Sequence, residues 1–295
     1  MSASILDTIG HTPLVRLRLP GVPAGATLLA KCEWFNPGGS VKDRTALSLI
    51  TEGERAGALR AGRTVVDSSS GNTAVGLALV GRAKGYPVEL VMPESVSDDR
   101  KRRCLAYGAR LVLTDAFSGS DGALRRVREM VEADPDRYFY TDQYRNTANP
   151  LAHYRTTGPE LWEQTAGGLT HFVAGLGTTG TVVGTGRFLH ERSGRVRVVA
   201  VEPDEPLHGL EGMKHLGSAV VPEVYDPGVE DEKVVVSTEA AYAACREVLE
   251  SDGLLVGHSA GAALAAAREV ARREGRGVVV ALLADGGDRY LSPGP

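Results

Sequence analysis

His171-Phe-Val-Ala-Gly-Leu-Gly-Thr-Thr-Gly-Thr181 is the stretch on which the reading of this chain turns. Residues 171–174 have the length and two-faced hydrophobicity of a buried parallel strand. A turn of glycine and threonine follows, and a helix-like run begins at Gly180. Small residues let backbone N–H groups crowd toward an anion, and the start of a helix favours negative charge there. The turn is no P-loop, because no Gly-Lys-Ser/Thr follows it. Nor does it open the first strand–helix unit with a dinucleotide fingerprint. Gly180 and Gly184 or Gly186 could alternatively serve only for close helix packing, so the phosphate cradle is the leading reading with a packing stripe as the alternative.

The same strand–loop–helix rhythm recurs on either side. Short runs rich in valine or leucine over 28–32, 64–67, 88–92, 110–114, 196–201 and 278–283 predict further strands, apolar on both faces. Helical patterns cover 45–55, 72–84, 98–107, 121–132, 153–164, 180–191, 238–251 and 260–273. Such alternation predicts an α/β fold with parallel sheets. The chain turns polar over 142–152, which suits a boundary between two α/β units. The proline-rich stretch 203–228 reads as an ordered surface excursion.

With 295 residues the chain can bury a core without staples. Glycine is the compositional outlier, at 36 residues against roughly 7 % in an average protein. The net charge of −4, without long runs of one sign, argues against a nucleic-acid groove. Three scattered cysteines support neither a disulfide framework nor a zinc ribbon, and no histidine has metal-ligand spacing. No signal peptide or membrane span is visible, so a cytoplasmic protein is expected. Six of the 33 basic residues are lysine, which draws attention to any lysine in a glycine-rich setting.

Lys42 stands in such a setting, Asn36-Pro-Gly-Gly-Ser-Val-Lys-Asp-Arg44, at the mouth of a helix. Held by glycine turns, its amine would suit a Schiff base, although a solvated first-turn lysine is as good a reading locally. Ser68-Ser-Ser-Gly-Asn-Thr73 follows a strand and opens a helix. It would grip a carboxylate, or it is an ordinary serine-rich cap. Gly257-His-Ser-Ala-Gly261 mimics the nucleophile elbow of α/β-hydrolases, but no histidine follows His258 to complete a triad. Asp285-Gly-Gly-Asp-Arg289 closes a strand as a site loop or a cap. A reactive lysine plus a phosphate cradle, without metal or nucleotide motifs, points to pyridoxal 5′-phosphate.

From Thr8-Ile-Gly-His-Thr-Pro-Leu14 to Asp288-Arg-Tyr-Leu-Ser292 the chain resembles the cysteine synthase and cystathionine β-synthase family of pyridoxal-phosphate enzymes. The B-type cysteine synthases, including those using O-phosphoserine, look nearest, through 149–162 and 171–189. The resemblance implies a fold-type-II enzyme like the tryptophan synthase β-subunit, with two three-layer αβα domains and a cofactor cleft. The expected domains are a smaller, mobile one over 41–146 and a larger one over 147–295, joined by a segment at 12–34. Lys42 would be the Schiff-base lysine. Ser69, Ser70, Gly71, Asn72 and Thr73 would clasp the substrate carboxylate, with Asn72 also on the cofactor's 3′ oxygen and Gln143 nearby. Gly177, Thr178, Thr179, Gly180 and Thr181 would hold the phosphate, and Ser259 would face the pyridine nitrogen.

The implied reaction is a β-replacement that makes L-cysteine from O-acetylserine or O-phosphoserine and a sulfur donor, through an α-aminoacrylate. Cystathionine or 2,3-diaminopropionate synthesis is the near alternative; a serine hydrolase and a non-catalytic ligand-binding protein belong to other classes. Ala74 and Ala260 depart from the family's usual residues. Lys214 and His215, in Gly212-Met-Lys-His215, would meet a phosphate or thiosulfate, or are a solvated pair. A homodimer and a sulfur-carrier protein are the expected macromolecular partners, and no nucleic acid, membrane or metal is expected.

Overall fold

The computed structural model describes residues 3–291. In chain order the elements begin with β1 (Leu14–Arg16), β2 (Ala26–Cys32), α1 (Lys42–Arg55), β3 (Thr64–Ser68) and α2 (Asn72–Lys84). Then come β4 (Val88–Pro93), α3 (Asp98–Ala106), β5 (Arg110–Thr114), α4 (Gly119–Ala133), β6 (Tyr138–Tyr140), α5 (Ala148–Arg155) and α6 (Thr157–Gln164). The remainder are β7 (His171–Gly175), α7 (Gly180–Arg192), β8 (Arg197–Pro203), β9 (Glu232–Val236), α8 (Thr238–Asp252), α9 (His258–Glu274) and β10 (Gly277–Leu283). They form two compact units, one of residues 3–9 and 41–149, the other of residues 10–40 and 150–291.

The first unit is built on a parallel sheet in the order β5-β4-β3-β6. Side chains alternate across it, as the two-residue period of a strand requires. Val65, Leu90 and Met92 face Ala46 and Ile50 of α1 and Leu77 of α2. Val66 and Val91 face Ala123, Val127 and Met130 of α4. Three layers result. Helix α2 is buried from Thr73 to Gly81. Its small residues admit α1 closely: a Cβ on Gly76 would lie 3.0 Å from the Lys42 carbonyl oxygen. The helix ends at Gly85, whose φ of +80° is the left-handed cap that glycine adopts without strain.

The second unit carries a six-stranded sheet in the order β1-β2-β10-β7-β8-β9, with only β1 antiparallel to its neighbour. Val173, Val199, Val279 and Ala281 share one core with Ala244 of α8 and Ala267 and Val270 of α9. In each sheet the winding reverses once. The chain runs β3, β4, β5 outward and then places β6 on the other side of β3; likewise it runs β7, β8, β9 before β10 returns beside β7. Loops after the strands that flank such a reversal open into a crevice, the usual ligand position in parallel sheets.

Several sequence expectations need amending. Strand β5 lies at a sheet edge with Arg110 and Leu113 exposed, so it is not apolar on both faces. The helix expected over 153–164 is two, α5 and α6, separated at Thr156, whose hydroxyl bonds back to Ala152 O at 2.7 Å. Helix α1 starts at Lys42 rather than residue 45. Strands β1, β6 and β9 lay outside the expectation. Two of them have three residues, too few to show a period, and the third opens with charged Glu232 and Lys233 at an edge. The stretch 204–226 is free of helix and strand, in keeping with a surface excursion.

Candidate active site

In the first unit the functional candidates gather at the reversal beside β3. Lys42 is the first residue of α1 and is half-buried. Ser69, Ser70, Gly71 and Asn72 lead from β3 into α2, also half-buried, while Thr73 is buried. Gly71 caps α2 without any side-chain bond, and a Cβ built there would meet nothing within 4 Å. The loop therefore borders open space with helix-start N–H groups at its end, a setting suited to an anion. Thr73 Oγ1 donates to Gln143 Oε1 at 2.7 Å, so two residues separated by 70 positions meet directly. Asn149 Nδ2 donates to Gln143 O at 2.8 Å, and Thr45 Oγ1 on α1 lies 3.4 Å from Asn149 Oδ1. This buried chain of hydrogen bonds ties the helix bearing Lys42 to the Gln143 turn and to the serine-rich loop. Asn149 carried no assigned role in the sequence, because its partners come from distant segments.

In the second unit the turn after β7 has the expected form. A Cβ on Gly177 would collide with Gly212 O, so no larger residue fits there. Thr179 has φ +67°, uncommon for a threonine, and its buried Oγ1 has no hydrogen-bond partner among the described residues. Helix α7 starts at Gly180 without a side-chain cap. Thr178 and Thr181 are buried, and Thr181 Oγ1 lies 3.3 Å from His153 Nε2. His153 Nδ1 is 3.0 Å from Thr157 Oγ1, so a fully buried imidazole braces the turn. Sequence reasoning missed His153; its place inside a family-like segment was the available signal.

Uncapped helix N–H groups, an orphaned threonine hydroxyl and a glycine wall together offer donors with no acceptor of their own. A phosphate group supplies acceptor oxygens only. The residues fit it. The packing reading of the glycines holds alongside, since a Cβ on Gly184 would collide with Pro150 O.

Lys214 comes close to this turn. Its backbone N–H donates to Leu176 O at 2.8 Å, and Met213 lies against Gly175. His215 instead pairs its Nδ1 with Ser218 Oγ at 2.8 Å. Glu202 holds the far end of the loop, accepting from Leu216 N at 2.5 Å and pairing with Lys233 at 3.2 Å. Ser259 sits half-buried in the first turn of α9. Next to it, the His258 ring lies between Tyr242 and Tyr290, with centroids 4.4 and 4.6 Å away. Burial lowers the His258 pKa, so the ring is neutral at neutral pH. Asp285, past the end of β10, accepts from the Tyr290 hydroxyl at 2.7 Å.

None of the cysteines supplies a ready thiolate. Burial pushes Cys104 and Cys245 up to about 11 and Cys32 up to about 12. Among the described residues no group of three or more His, Cys, Asp or Glu side chains is placed to hold a metal ion, and no helix is long and apolar enough to cross a membrane.

The two sheets of parallel strands and the family match together define a fold-type-II pyridoxal-phosphate enzyme. The family of pyridoxal-phosphate dependent enzymes matches residues 5–285, and the chain belongs to it. It is 48 % identical to cysteine synthase of Aquifex aeolicus over 98 % of this chain and 90 % of that protein. It is 40 % identical to cysteine synthase B of Escherichia coli, over 99 % of this chain and 95 % of the relative. The solved structure of a cysteine synthase from Entamoeba histolytica superposes with a TM-score of 0.95 at 34 % identity, covering 99 % of this chain and 90 % of the other.

Proposed function

We propose that the protein makes L-cysteine from an activated serine, O-acetylserine or O-phosphoserine, and a sulfur donor. The observation that carries this is the 48 % identity with a cysteine synthase across nearly the whole chain. The site residues support it. Lys42 would hold the cofactor through its Nζ and, once released, would take a proton from the substrate's α-carbon and later return it. Ser69, Ser70, Gly71, Asn72, Thr73 and Gln143 bind and orient the substrate carboxylate, and Asn72 also bonds the cofactor's 3′ oxygen. Gly177, Thr178, Thr179, Gly180 and Thr181 hold the phosphate. Ser259 donates or accepts one hydrogen bond at the pyridine nitrogen without forcing a proton onto it. When bound, pyridoxal phosphate supplies the electron sink that lets the β-substituent leave and a sulfur nucleophile take its place.

Lys214 is proposed to read a phosphate on the donor, because its backbone is pinned to the phosphate turn at Leu176. We place the enzyme in the cytoplasm as a homodimer, with a sulfur-carrier protein as one candidate donor and a smaller domain that moves during turnover. The test is to supply each activated serine with sulfide and measure L-cysteine. Product from at least one donor, abolished by Lys42→Ala, supports the reading; no product from either refutes it. Lys214→Ala should weaken only the O-phosphoserine reaction, and equal losses for both donors would remove that role.

A further inference from the structure

Asp67 is the penultimate residue of β3, just before the serine-rich loop, and the proposed reaction gives it no task. Its side chain is 1 % exposed. Thr141 Oγ1 donates to Asp67 Oδ2, while the buried Oδ1 has no hydrogen-bond partner among the described residues. Thr141 N bonds to Val66 O at 3.1 Å, so the ends of β3 and β6 are stitched together at the sheet reversal. Between Thr141 and Gln143 lies Asp142, with φ +43°, a backbone conformation that side-chain-bearing residues seldom adopt. Such a turn persists only where its surroundings hold it. Asp67 is bonded to Thr141, the residue that enters this turn.

We propose that Asp67 is a positioning residue for the substrate carboxylate: it clamps the Thr141–Gln143 turn onto the end of β3 and thereby aims Gln143 at Thr73 and at the bound amino acid. Gln143 Oε1 is engaged by Thr73 Oγ1 at 2.7 Å, and the amide nitrogen is the donor a carboxylate needs. Burial pushes the Asp67 carboxyl up to about 7, an effect to which the neighbouring Asp142 adds, so the clamp brings little competing charge to an anion site. Without the clamp the strained turn relaxes, and the amide moves away from the carboxylate while the cofactor's own contacts stay in place.

The proposal rests on the reading of Ser69–Thr73 and Gln143 as the carboxylate site, and the experiment separates the two. Holoenzyme is titrated with L-methionine and with L-methioninamide, following the cofactor's absorbance. The carboxylate distinguishes these ligands, and neither has a leaving group at Cβ. Wild-type protein should prefer the acid, and Gln143→Leu should lose that preference. Asp67→Ala, which removes the acceptor of the Thr141 hydroxyl, should weaken methionine roughly tenfold, the scale of one buried hydrogen bond, and leave methioninamide unchanged. Thr141→Val removes the clamp's hydroxyl and should act in the same direction, which keeps the test decisive if the Asp67 variant does not fold. In turnover, KM for the activated serine should rise while kcat and KM for sulfide hold. Equal weakening of acid and amide, or no change, overturns the clamp. If Gln143→Leu keeps the wild-type preference, the carboxylate reading itself has failed and the clamp falls with it.

Discussion

Lys31 and Asp67 are both sealed from water, and the protein treats them in opposite ways. Lys31 Nζ is met by a counter-charge, Glu160, at 2.6 Å, and by Thr12 O and Gln164 Oε1 at 2.8 and 2.9 Å. Removing one partner from such a buried pair leaves an uncompensated charge. Lys31→Met should therefore lower unfolding free energy by about 3–5 kcal/mol, and Lys31→Met with Glu160→Leu should recover most of it, as read by urea titration. Asp67 has the Thr141 hydroxyl as a donor and, among the described residues, no ion pair, and burial raises its carboxyl from 3.8 to about 7. The folded protein then binds this proton more tightly than the unfolded chain. Its contribution to stability is present at low pH and is lost as pH rises through the interval from 3.8 to about 7. Asp67→Asn should flatten that part of the stability profile between about pH 4 and about pH 7; an unaltered slope would refute the assignment. At this scale the sequence was legible where chemistry is local. Lys42 stood out by its rarity and its glycine setting. Asp67, Asn149 and His153 did not, because their meaning depends on Thr141, Gln143 and Thr181, partners that only the fold delivers.

At the scale of elements, glycines tell two kinds of contact apart. Gly177 lines the phosphate turn against Gly212 O, whereas Gly184 lets α7 lie on Pro150 O. Gly177→Ala should reduce retention of pyridoxal phosphate, measured by absorbance after dialysis. Gly184→Ala should mainly destabilise the second unit, by about 1–3 kcal/mol for overpacking. Cofactor loss from Gly184→Ala alone, with Gly177→Ala unaffected, would reverse these roles. Helices α2 and α7 were readable because each follows a strand and a polar turn, and α2 also ends on a left-handed glycine. The break between α5 and α6 falls where Pro159, in the first turn of α6, has no N–H to continue the ladder to Arg155 O, a signal that the helical periodicity overrode. Tyr138-Phe-Tyr140 was too short to declare a strand until Val65 and Val66 paired with it.

Over the whole molecule, each unit winds its sheet outward, reverses once, and has its proposed ligand loops at that reversal. The first has the serine-rich loop and Gln143 there; the second has the phosphate turn. The alternation of strands and helices was enough to predict α/β units, and the polar loops pointed to the chemistry. Strand order was not readable, because it depends on which edge β6 and β10 return to, and that is decided by packing between distant segments. The account stands or falls on the lysine. Lys31, Lys84, Lys101 and Lys233 are each held in an ion pair with an acid. Borohydride reduction of the holoenzyme, followed by peptide mass mapping, fixes the cofactor to whichever amine carries it. The added mass should fall on the peptide containing Lys42 and disappear in Lys42→Ala; label on another lysine, or none, would contradict the account.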